Sequence, residues 1–377
     1  MRILPKMMQI VVWLTVLSMA LGGAWTSKRI TNNDGDSREP DIAANGANIF
    51  VVWHDFTSGN PEIYFKKSID GGGTWQTSKR LTNNTGYSRS PAIASGGANL
   101  FVAWSDDTPG SAEIYFRRST DGGATWQTQK RLSNNADVSY SPVIAVSGTN
   151  VIVAWLDHSP GNWTIYTRRS ADNGVTWQPS VRMTYTAGSS MYPAIAGSGG
   201  NVCVTWHDFT SGDGEIYLKK STDGGATWKP NKRLTDNSGS SESSAIALNG
   251  ANVYVAWSDN TPGNYDIYFM RSTDGGATWQ TAKRLTNNPG TSYKVDIAVS
   301  GANVYVAWED DTPETFDEIY FRRSADNGST WQGAERLTDT SGVSAESAVA
   351  ANSAKVFVVW EDDTPGNHDI YLKHSPL

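Results

Sequence analysis

The sequence repeats itself with a period of 51 residues, and this regularity limits the possible folds more than any other feature. Tryptophans that end a β-branched run recur at this spacing, with a single step of 52 residues. A fixed period of this size is typical of arrays in which each unit buries its faces against its neighbours. The first series is Trp53, Trp104, Trp155, Trp206, Trp257, Trp308 and Trp360, and the second is Trp75, Trp126, Trp177, Trp228, Trp279 and Trp331.

One repeat, residues 241–288, shows how each unit is built. Gly, Asn, Asp and Pro residues separate four short runs that are rich in apolar and β-branched residues: Ser244–Ala247, Val253–Trp257, Asp266–Arg271 and Trp279–Thr286. Such runs divided by turn residues predict strands, and four strands in about 40–50 residues make a propeller blade. We therefore predict an all-β chain that forms a seven-bladed β-propeller, with four antiparallel strands in each blade and residues 25–377 in a single domain.

The two ends of the chain predict how the ring closes. The fourth strand of every repeat carries an arginine, and the first of these, Arg29, precedes all other predicted strands. The last repeat stops at Leu377, directly after its third strand. Because a closed ring leaves no free sheet edge, we expect Trp25–Thr31 to supply the outer strand of the last blade.

The N-terminal segment has the pattern of a secretory signal. Arg2 and Lys6 precede an apolar stretch, Ile10–Leu21, and small residues follow up to Ala24. This order predicts a signal peptide over residues 1–24 and a secreted or cell-surface protein without a membrane span in its mature chain. The alternative is an uncleaved anchor, since Met7–Ser27 is long enough to cross a membrane when tilted.

Composition excludes several classes of protein. The 31 Lys and Arg residues against 38 Asp and Glu residues give a net charge of −7, which disfavours a nucleic-acid partner. One cysteine, Cys203, excludes a disulfide scaffold and is expected to be a buried apolar side chain. We expect no cofactor. We also expect no metal, because His54 and His207 lie three blades apart on the ring and would not share an ion. We also expect a monomer.

A second motif stands between the third and fourth strands of six repeats. Each copy has the form Ser-x-Asp-x-Gly-x-Thr-Trp, as in Ser68–Trp75, and its Asp can accept hydrogen bonds from the amides of a tight turn. The six copies resemble the Asp-box, or bacterial neuraminidase repeat, and the chain resembles the sialidase-like propeller superfamily over nearly all of its mature length. That resemblance implies that the motif is structural and lies on the face opposite the ligand site.

Candidate ligand-binding residues follow a serine that recurs at the start of the innermost strand of each repeat, as at Ser37. The two residues after this serine differ between repeats, so they offer the asymmetry that a single site needs. We expect them to ring the mouth of the central channel and to bind an anionic or hydroxyl-rich ligand. The candidates are Arg38, Arg89, Tyr140, Tyr192, Glu242, Tyr293 and Lys294.

Carboxylates also follow the first tryptophan series. An Asp stands two residues after each tryptophan, as at Asp55, and we expect it to cap its own loop. The last two repeats add further acids, including Glu309 with Asp310 and Glu361 with Asp362. This acidic group indicates either a binding patch for a cation or basic partner, or a solvated acidic rim. Acidic groups of this kind more often form a solvated rim, and we adopt that interpretation.

The resemblance to sialidases also implies a possible catalytic set. It assigns Tyr293 or Tyr140 as nucleophile, Glu242 as its partner and Asp41 as the acid, with Arg38 and Arg89 as two of three arginines. A third arginine is missing from the ring, so we interpret the chain as a non-catalytic module for carbohydrate or another extracellular polymer. The alternatives are a sialidase-like hydrolase, an architectural surface protein, and a multivalent lectin with stacking platforms at Trp163, Tyr265 and Phe316.

Overall fold

Each repeat folds into one four-stranded antiparallel sheet, and seven such sheets form a ring. The computed structural model describes residues 24–312 and 316–376, and the sheets named here lie within those ranges. The predicted signal peptide, residues 1–24, lies outside the described residues except for its last position. The described part of the chain contains no helix that is long and apolar enough to span a membrane.

In each blade the strands are given in order from the central channel to the outer edge. Blade 1 consists of β2 (Ser37–Asn45), β3 (Asn48–Asp55), β4 (Glu62–Ser68) and β5 (Lys79–Arg80). Blade 2 consists of β6 (Ser88–Gly96), β7 (Asn99–Asp106), β8 (Glu113–Ser119) and β9 (Lys130–Arg131). Blade 3 consists of β10 (Ser139–Ser147), β11 (Asn150–Asp157), β12 (Thr164–Ser170) and β13 (Val181–Arg182). Blades 4 and 5 consist of β14 (Ser190–Ser198), β15 (Asn201–Asp208), β16 (Glu215–Ser221) and β17 (Lys232–Arg233); and β18 (Ser241–Asn249), β19 (Asn252–Asp259), β20 (Asp266–Ser272) and β21 (Lys283–Arg284). Blade 6 consists of β22 (Ser292–Ser300), β23 (Asn303–Asp310), β24 (Glu318–Ser324) and β25 (Glu335–Arg336). Blade 7 consists of β26 (Ser344–Ala351), β27 (Lys355–Asp362), β28 (Asp369–Pro376) and β1 (Thr26–Arg29).

The ring closes as the chain ends predict. Strand β1 pairs antiparallel with β28, and the register joins Thr26 to His374 and Arg29 to Tyr371. The buried Asp369 carboxylate accepts hydrogen bonds from the Arg29 guanidinium and the Thr31 hydroxyl. The predicted seven-bladed propeller and its closure by the N-terminal strand are therefore confirmed.

The core lies between neighbouring blades. In the second strand of each blade, side chains on both faces are buried, because each sheet is covered on two sides. Between blades 7 and 1, Ile49, Val51 and Trp53 pack against Phe357 and Val359. Burial on both faces explains why these strands are apolar at nearly every position.

The outer strand of each blade is shorter than the sequence pattern indicated. In blade 5 the fourth strand contains two residues, Lys283 and Arg284, whereas the run in the sequence extends over Trp279–Thr286. The indole of Trp279 instead lies against the turn before it, where its N–H donates to the Gly276 carbonyl at 3.1 Å. The first half of the run is therefore a packed turn and not a strand.

The Asp-box turns have the structural role that the motif predicts. In the first copy, the Asp70 carboxylate accepts hydrogen bonds from the Thr74 amide, the Thr74 hydroxyl and the Ser68 hydroxyl. These bonds hold the pKa of Asp70 well below its ordinary value. The Gly71 amide donates to Ala47 in the turn between β2 and β3, so the box lies at the end of the blade away from residue 37.

Candidate functional site

A β-bulge in the innermost strand of every blade turns one side chain toward the mouth of the central channel. In blade 1 the register shifts between Arg38 and Asp41, and Glu39 within the bulge has a φ of 51°. Left-handed backbone at a bulge re-aims a side chain that would otherwise alternate across the sheet. The equivalent residues have φ between 47° and 51°: Glu39, Ser90, Ser141, Tyr192, Ser243, Lys294 and Glu346.

These seven bulge residues line one polar cavity of about 740 Å³ at the channel mouth. Glu242 and Tyr293, which precede two of the bulge residues, line it as well. The lining is asymmetric because blades 2 and 3 contribute Ser90 and Ser141, while blades 6, 7 and 1 contribute charged residues. The cavity therefore has a side of small residues and a charged side.

The charged side is organised around Lys294. Its ammonium group lies 2.5 Å from Glu346 and 3.6 Å from the buried Glu309. Glu309 also accepts a hydrogen bond from the Glu346 amide at 2.6 Å, which joins blade 6 to blade 7. Burial raises the pKa of Glu309 to about 7, although Lys294 favours the charged form. Glu309 can therefore change its charge near neutral pH.

The same contact joins blade 7 to blade 1. Glu361, at the position equivalent to Glu309, accepts a hydrogen bond from the Glu39 amide at 2.7 Å. Burial raises the pKa of Glu361 to about 7 as well. Burial also disfavours the charge of Glu39, but the nearby His54 ring and the hydrogen bond from the Ser90 amide outweigh it and lower the pKa of Glu39. The Glu39 carboxylate is thus the ionised group on this side at neutral pH.

Two tyrosine–carboxylate pairs occupy the side formed by blades 5 and 6. The Tyr293 hydroxyl donates to Asp317 at 2.7 Å, and the Tyr265 hydroxyl donates to Glu242 at 3.1 Å. Burial and the neighbouring carboxylates raise the pKa of Tyr293 and raise that of Tyr265 to about 12. Both phenols therefore remain protonated and act as hydrogen-bond donors.

Tyr192 of blade 4 is the large aromatic residue that the cavity exposes. Its side chain is 53% exposed, and its ring lies 5.3 Å from the buried ring of His207. Burial lowers the pKa of His207 to about 4, so its neutral ring can accept the Ser243 amide hydrogen bond at 3.3 Å. The exposed Tyr192 ring, which packs against the buried His207 ring, therefore offers a flat surface for a ligand.

Four of the seven predicted ligand-binding residues line the cavity: Tyr192, Glu242, Tyr293 and Lys294. The other three have partners elsewhere on the same face. Arg38 pairs with Asp36 at 3.0 Å, and the Arg89 guanidinium lies 4.6 Å from the centre of the Tyr87 ring. The Tyr140 ring packs 6.4 Å from Trp163.

The residues of the implied catalytic set are not brought together as a unit. Tyr293 donates to Asp317 and not to Glu242. Asp41 is not among the described residues that line the cavity, and its two oxygens accept the amides of Ile42 and Ile93 at 2.8 and 2.7 Å. Burial, with a smaller contribution from Asp296, raises the pKa of Asp41 to about 7.

The interpretation of the acidic residues in the last two blades as a solvated rim was wrong for most of them. Glu309, Asp310, Glu318, Glu361 and Asp362 are buried, whereas Asp311 is exposed. The two buried aspartates cap loops as predicted: Asp310, for example, accepts the Thr312 amide at 3.0 Å. Glu309 and Glu361 accept amides of the next blade. Among the described residues, no group of three or more His, Cys, Asp or Glu could hold a metal ion.

Two positions of the site were not predicted from the sequence to belong to it. The first position is the residue directly after a first-series tryptophan. In blades 4, 6 and 7 this residue accepts the bulge amide of the next blade: His207, Glu309 and Glu361. The third residue after the recurrent serine is Pro in blades 1 to 4 but Ser244 in blade 5 and Ser347 in blade 7. Both positions vary between repeats, so a comparison of the blades at every position would have found them.

Four further cavities of about 270–590 Å³ lie between neighbouring blades at equivalent places. Their tryptophans are at most 3% exposed and leave no free ring face for a sugar: Trp53, Trp257, Trp308 and Trp360. In one of them Lys66 crosses the groove and donates to the Ile30 carbonyl at 2.6 Å. We therefore interpret these grooves as the packing interfaces between neighbouring blades and not as sugar-binding sites.

The predicted stacking platforms have three different environments. Trp163 is only partly exposed and contacts Tyr140 and His158. Tyr265 is tied to Glu242, and Phe316 is 40% exposed. The three residues therefore do not form a site that repeats from blade to blade.

Seven four-stranded blades, six Asp-box turns and a polar channel mouth define a sialidase-like propeller of the Asp-box class. The sequence matches the BNR repeat-like domain family over residues 59–306, and the chain belongs to this family. A sialidase of Paraclostridium sordellii is 25% identical over an alignment of 258 residues that covers 56% of this chain and 61% of that protein. The chain thus spans about three fifths of the length of that relative.

Solved structures with the same fold are less similar in sequence. The polysaccharide lyase Uly1 superposes with a TM-score of 0.62 at 9% identity over 89% of each chain. A Trypanosoma rangeli sialidase in complex with the inhibitor DANA gives a TM-score of 0.55 at 12% identity, covering 94% of this chain and 60% of the other. At such identities the likeness concerns the fold alone.

Proposed function

We propose that this protein is an exported, non-catalytic carbohydrate-binding propeller whose ligand occupies the cavity at the channel mouth. One observation carries the proposal: the seven bulges direct unlike side chains into a single polar cavity with one exposed aromatic ring. Hydroxyl-rich ligands are held by such a combination of hydrogen-bonding groups and an aromatic face. The glycan-acting names of the relatives favour a saccharide over other polar ligands.

The chemistry of the cavity favours binding over hydrolysis. Lys294 is the one cation among the described residues that line it, and two carboxylates already engage its ammonium group. A sialic acid carboxylate would therefore meet no free guanidinium. Tyr293 has its pKa raised and not lowered, so its phenol is poorly prepared to act as a nucleophile.

The sialidase-like alternative has its own test. The purified chain is incubated with a fluorogenic sialoside, alongside the Tyr293→Phe and Arg38→Ala variants. We expect no release of the fluorophore from any of the three proteins. Release by the wild-type chain that both substitutions abolish would overturn the non-catalytic assignment.

A glycan array followed by titration calorimetry tests the binding site. We expect Tyr192→Ala to weaken the affinity for the bound glycan by about tenfold, because the exposed ring face is lost. Tyr185→Ala is the matched control, since Tyr185 is 73% exposed and does not line the cavity. An array without any bound glycan, or equal losses in both variants, would contradict the proposed site.

We also propose, from the sequence pattern of residues 1–24, that the chain is exported and loses this segment. Mass spectrometry of the protein recovered from the medium of its source cells tests the cleavage. A mature N-terminus at about residue 25 is the expected result.

A further inference from the structure

The cavity at the channel mouth carries more negative than positive side chains. Three carboxylates line it, from Glu39, Glu242 and Glu346, against the single ammonium group of Lys294. Lys294 is already paired with Glu346, and the buried Glu309 lies behind it at 3.6 Å. A ligand that enters this cavity therefore meets unbalanced negative charge.

The carboxylates at the junction of blades 7 and 1 are accessible from the cavity. The side chains of Glu39 and Glu346 are 42% and 40% exposed. Glu39 is fixed from behind, since its carboxylate accepts the Ser90 amide at 3.0 Å and lies 3.4 Å from His54. A partly desolvated carboxylate that is already oriented attracts a cation more strongly than one in free solvent.

A second observation, independent of charge, points to a ligand in the same cavity. Ser244 lines the cavity wall and is 7% exposed, and its buried hydroxyl has no hydrogen-bond partner among the described residues. Ser347, at the equivalent place in blade 7, also lines the wall, and its hydroxyl is also buried and unpartnered. Four blades carry proline at this position, so the fold does not require a hydroxyl there. Buried polar groups are normally satisfied, and a polar ligand would satisfy these two.

We propose that the cavity selects a saccharide bearing a protonated primary amine, such as a 2-amino-2-deoxyhexose unit, over its N-acetylated or carboxylate-bearing counterparts. This inference rests on the proposed function, because it names the class of glycan bound at the same site. The ammonium group of the sugar takes the side of Glu39, because Lys294 already neutralises Glu346. The ring hydroxyls are left for Ser244, Ser347 and the protonated phenol of Tyr293.

Isothermal titration calorimetry with three matched probes tests the selection. The probes are a glucosamine tetrasaccharide, the N-acetylglucosamine tetrasaccharide and a sialylated trisaccharide, each at about pH 6 and low ionic strength. We expect the glucosamine oligomer to bind at least about tenfold more tightly than the other two, and to weaken when salt is added. Equal or tighter binding of either other probe would overturn the inference while leaving the proposed carbohydrate site intact. If none of the three binds, the inference is overturned, and the glycan array alone decides whether the proposed function stands.

Matched variants separate the charge from the fold. We expect Glu39→Gln to reduce the affinity for the glucosamine oligomer by at least about fivefold, with no change in circular dichroism. Its residual affinity for the acetylated oligomer should stay the same, because only the ion pair is removed. Asp213→Asn is the control: Asp213 is exposed on the loop between β15 and β16 and does not line the cavity. Equal losses in both variants would show a long-range effect of net charge and would overturn the assignment of this site.

Discussion

The buried glutamate between blades 6 and 7 makes the stability of the ring depend on pH. Glu309 is fully buried, and one of its oxygens accepts the Glu346 amide while the other has no hydrogen-bond partner. Burial raises its pKa from the ordinary 4.5 to about 7. The folded protein therefore keeps a proton on Glu309 at a pH where the unfolded chain has lost it.

The sign and size of the effect follow from this difference. Because the folded state binds more protons between pH 4.5 and about 7, its stability falls as the pH rises through that window. A shift of this size corresponds to about 3 kcal/mol once the pH exceeds the folded pKa. Glu309→Gln removes the titration and keeps an oxygen that can accept the Glu346 amide. The lost attraction to Lys294 offsets part of the gain.

Urea denaturation of the wild type and of Glu309→Gln at about pH 5 and about pH 8 measures the difference. We expect the two free energies of unfolding to be similar at the lower pH. At the higher pH the variant should be more stable by about 1–3 kcal/mol. Ser105→Ala, at the equivalent position of blade 2, is the control and should show no such change with pH. If the difference between Glu309→Gln and the wild type is the same at both pH values, the reasoning is refuted.

Two further predictions concern the scaffold. Gly123→Ala should lower the free energy of unfolding by about 3 kcal/mol, because the residue has a φ of 81° and the new methyl group would lie 2.5 Å from the Phe65 ring. Gly122→Ala, at a φ of 63° with no neighbour within 4 Å, should cost only about 1 kcal/mol. Urea denaturation measures both free energies of unfolding, and equal costs would contradict this account. Asp369→Ala should speed amide exchange in residues 26–31, since each charge-assisted hydrogen bond lost there is worth about 1.5–3 kcal/mol. Glu113→Ala is the control, because Glu113 accepts the equivalent hydrogen bonds from Arg131 and Ser133 in blade 2, whose four strands are consecutive in the chain. Equal increases in amide exchange at the outer strands of the two variants would contradict a special role of Asp369 in closing the ring.

The architecture could be predicted from the sequence because the strand pattern of one blade recurs seven times. Every blade repeats the same buried tryptophan and the same capping Asp, and the position of Arg29 ahead of all other strands is enough to predict the closure of the ring. The role of the Asp box was equally accessible, since Asp70 and Thr74 lie within one turn. Interactions between residues this close in the chain depend little on the rest of the fold.

The site was only partly predictable, and the bulge is the reason. A shift of one residue moves a side chain to the other face of a sheet, so the pattern alone could not separate Glu39, which lines the cavity, from Arg38, which does not. Acidic residues after a tryptophan likewise look like surface charge in the sequence. Their burial against the next blade becomes visible only when the blades are placed side by side.

The sequence by itself determined the number of blades, the closing strand and the structural turns, because these depend on local patterns that recur at a fixed spacing. The tertiary structure alone decided which side chains share the channel mouth and which carboxyl groups keep their protons near neutral pH. Glu361 and Glu39 are 322 residues apart in the chain, yet the closed ring brings them into hydrogen-bond contact. Burial at that junction, which the chain acquires only on closing, sets the charge that a ligand meets.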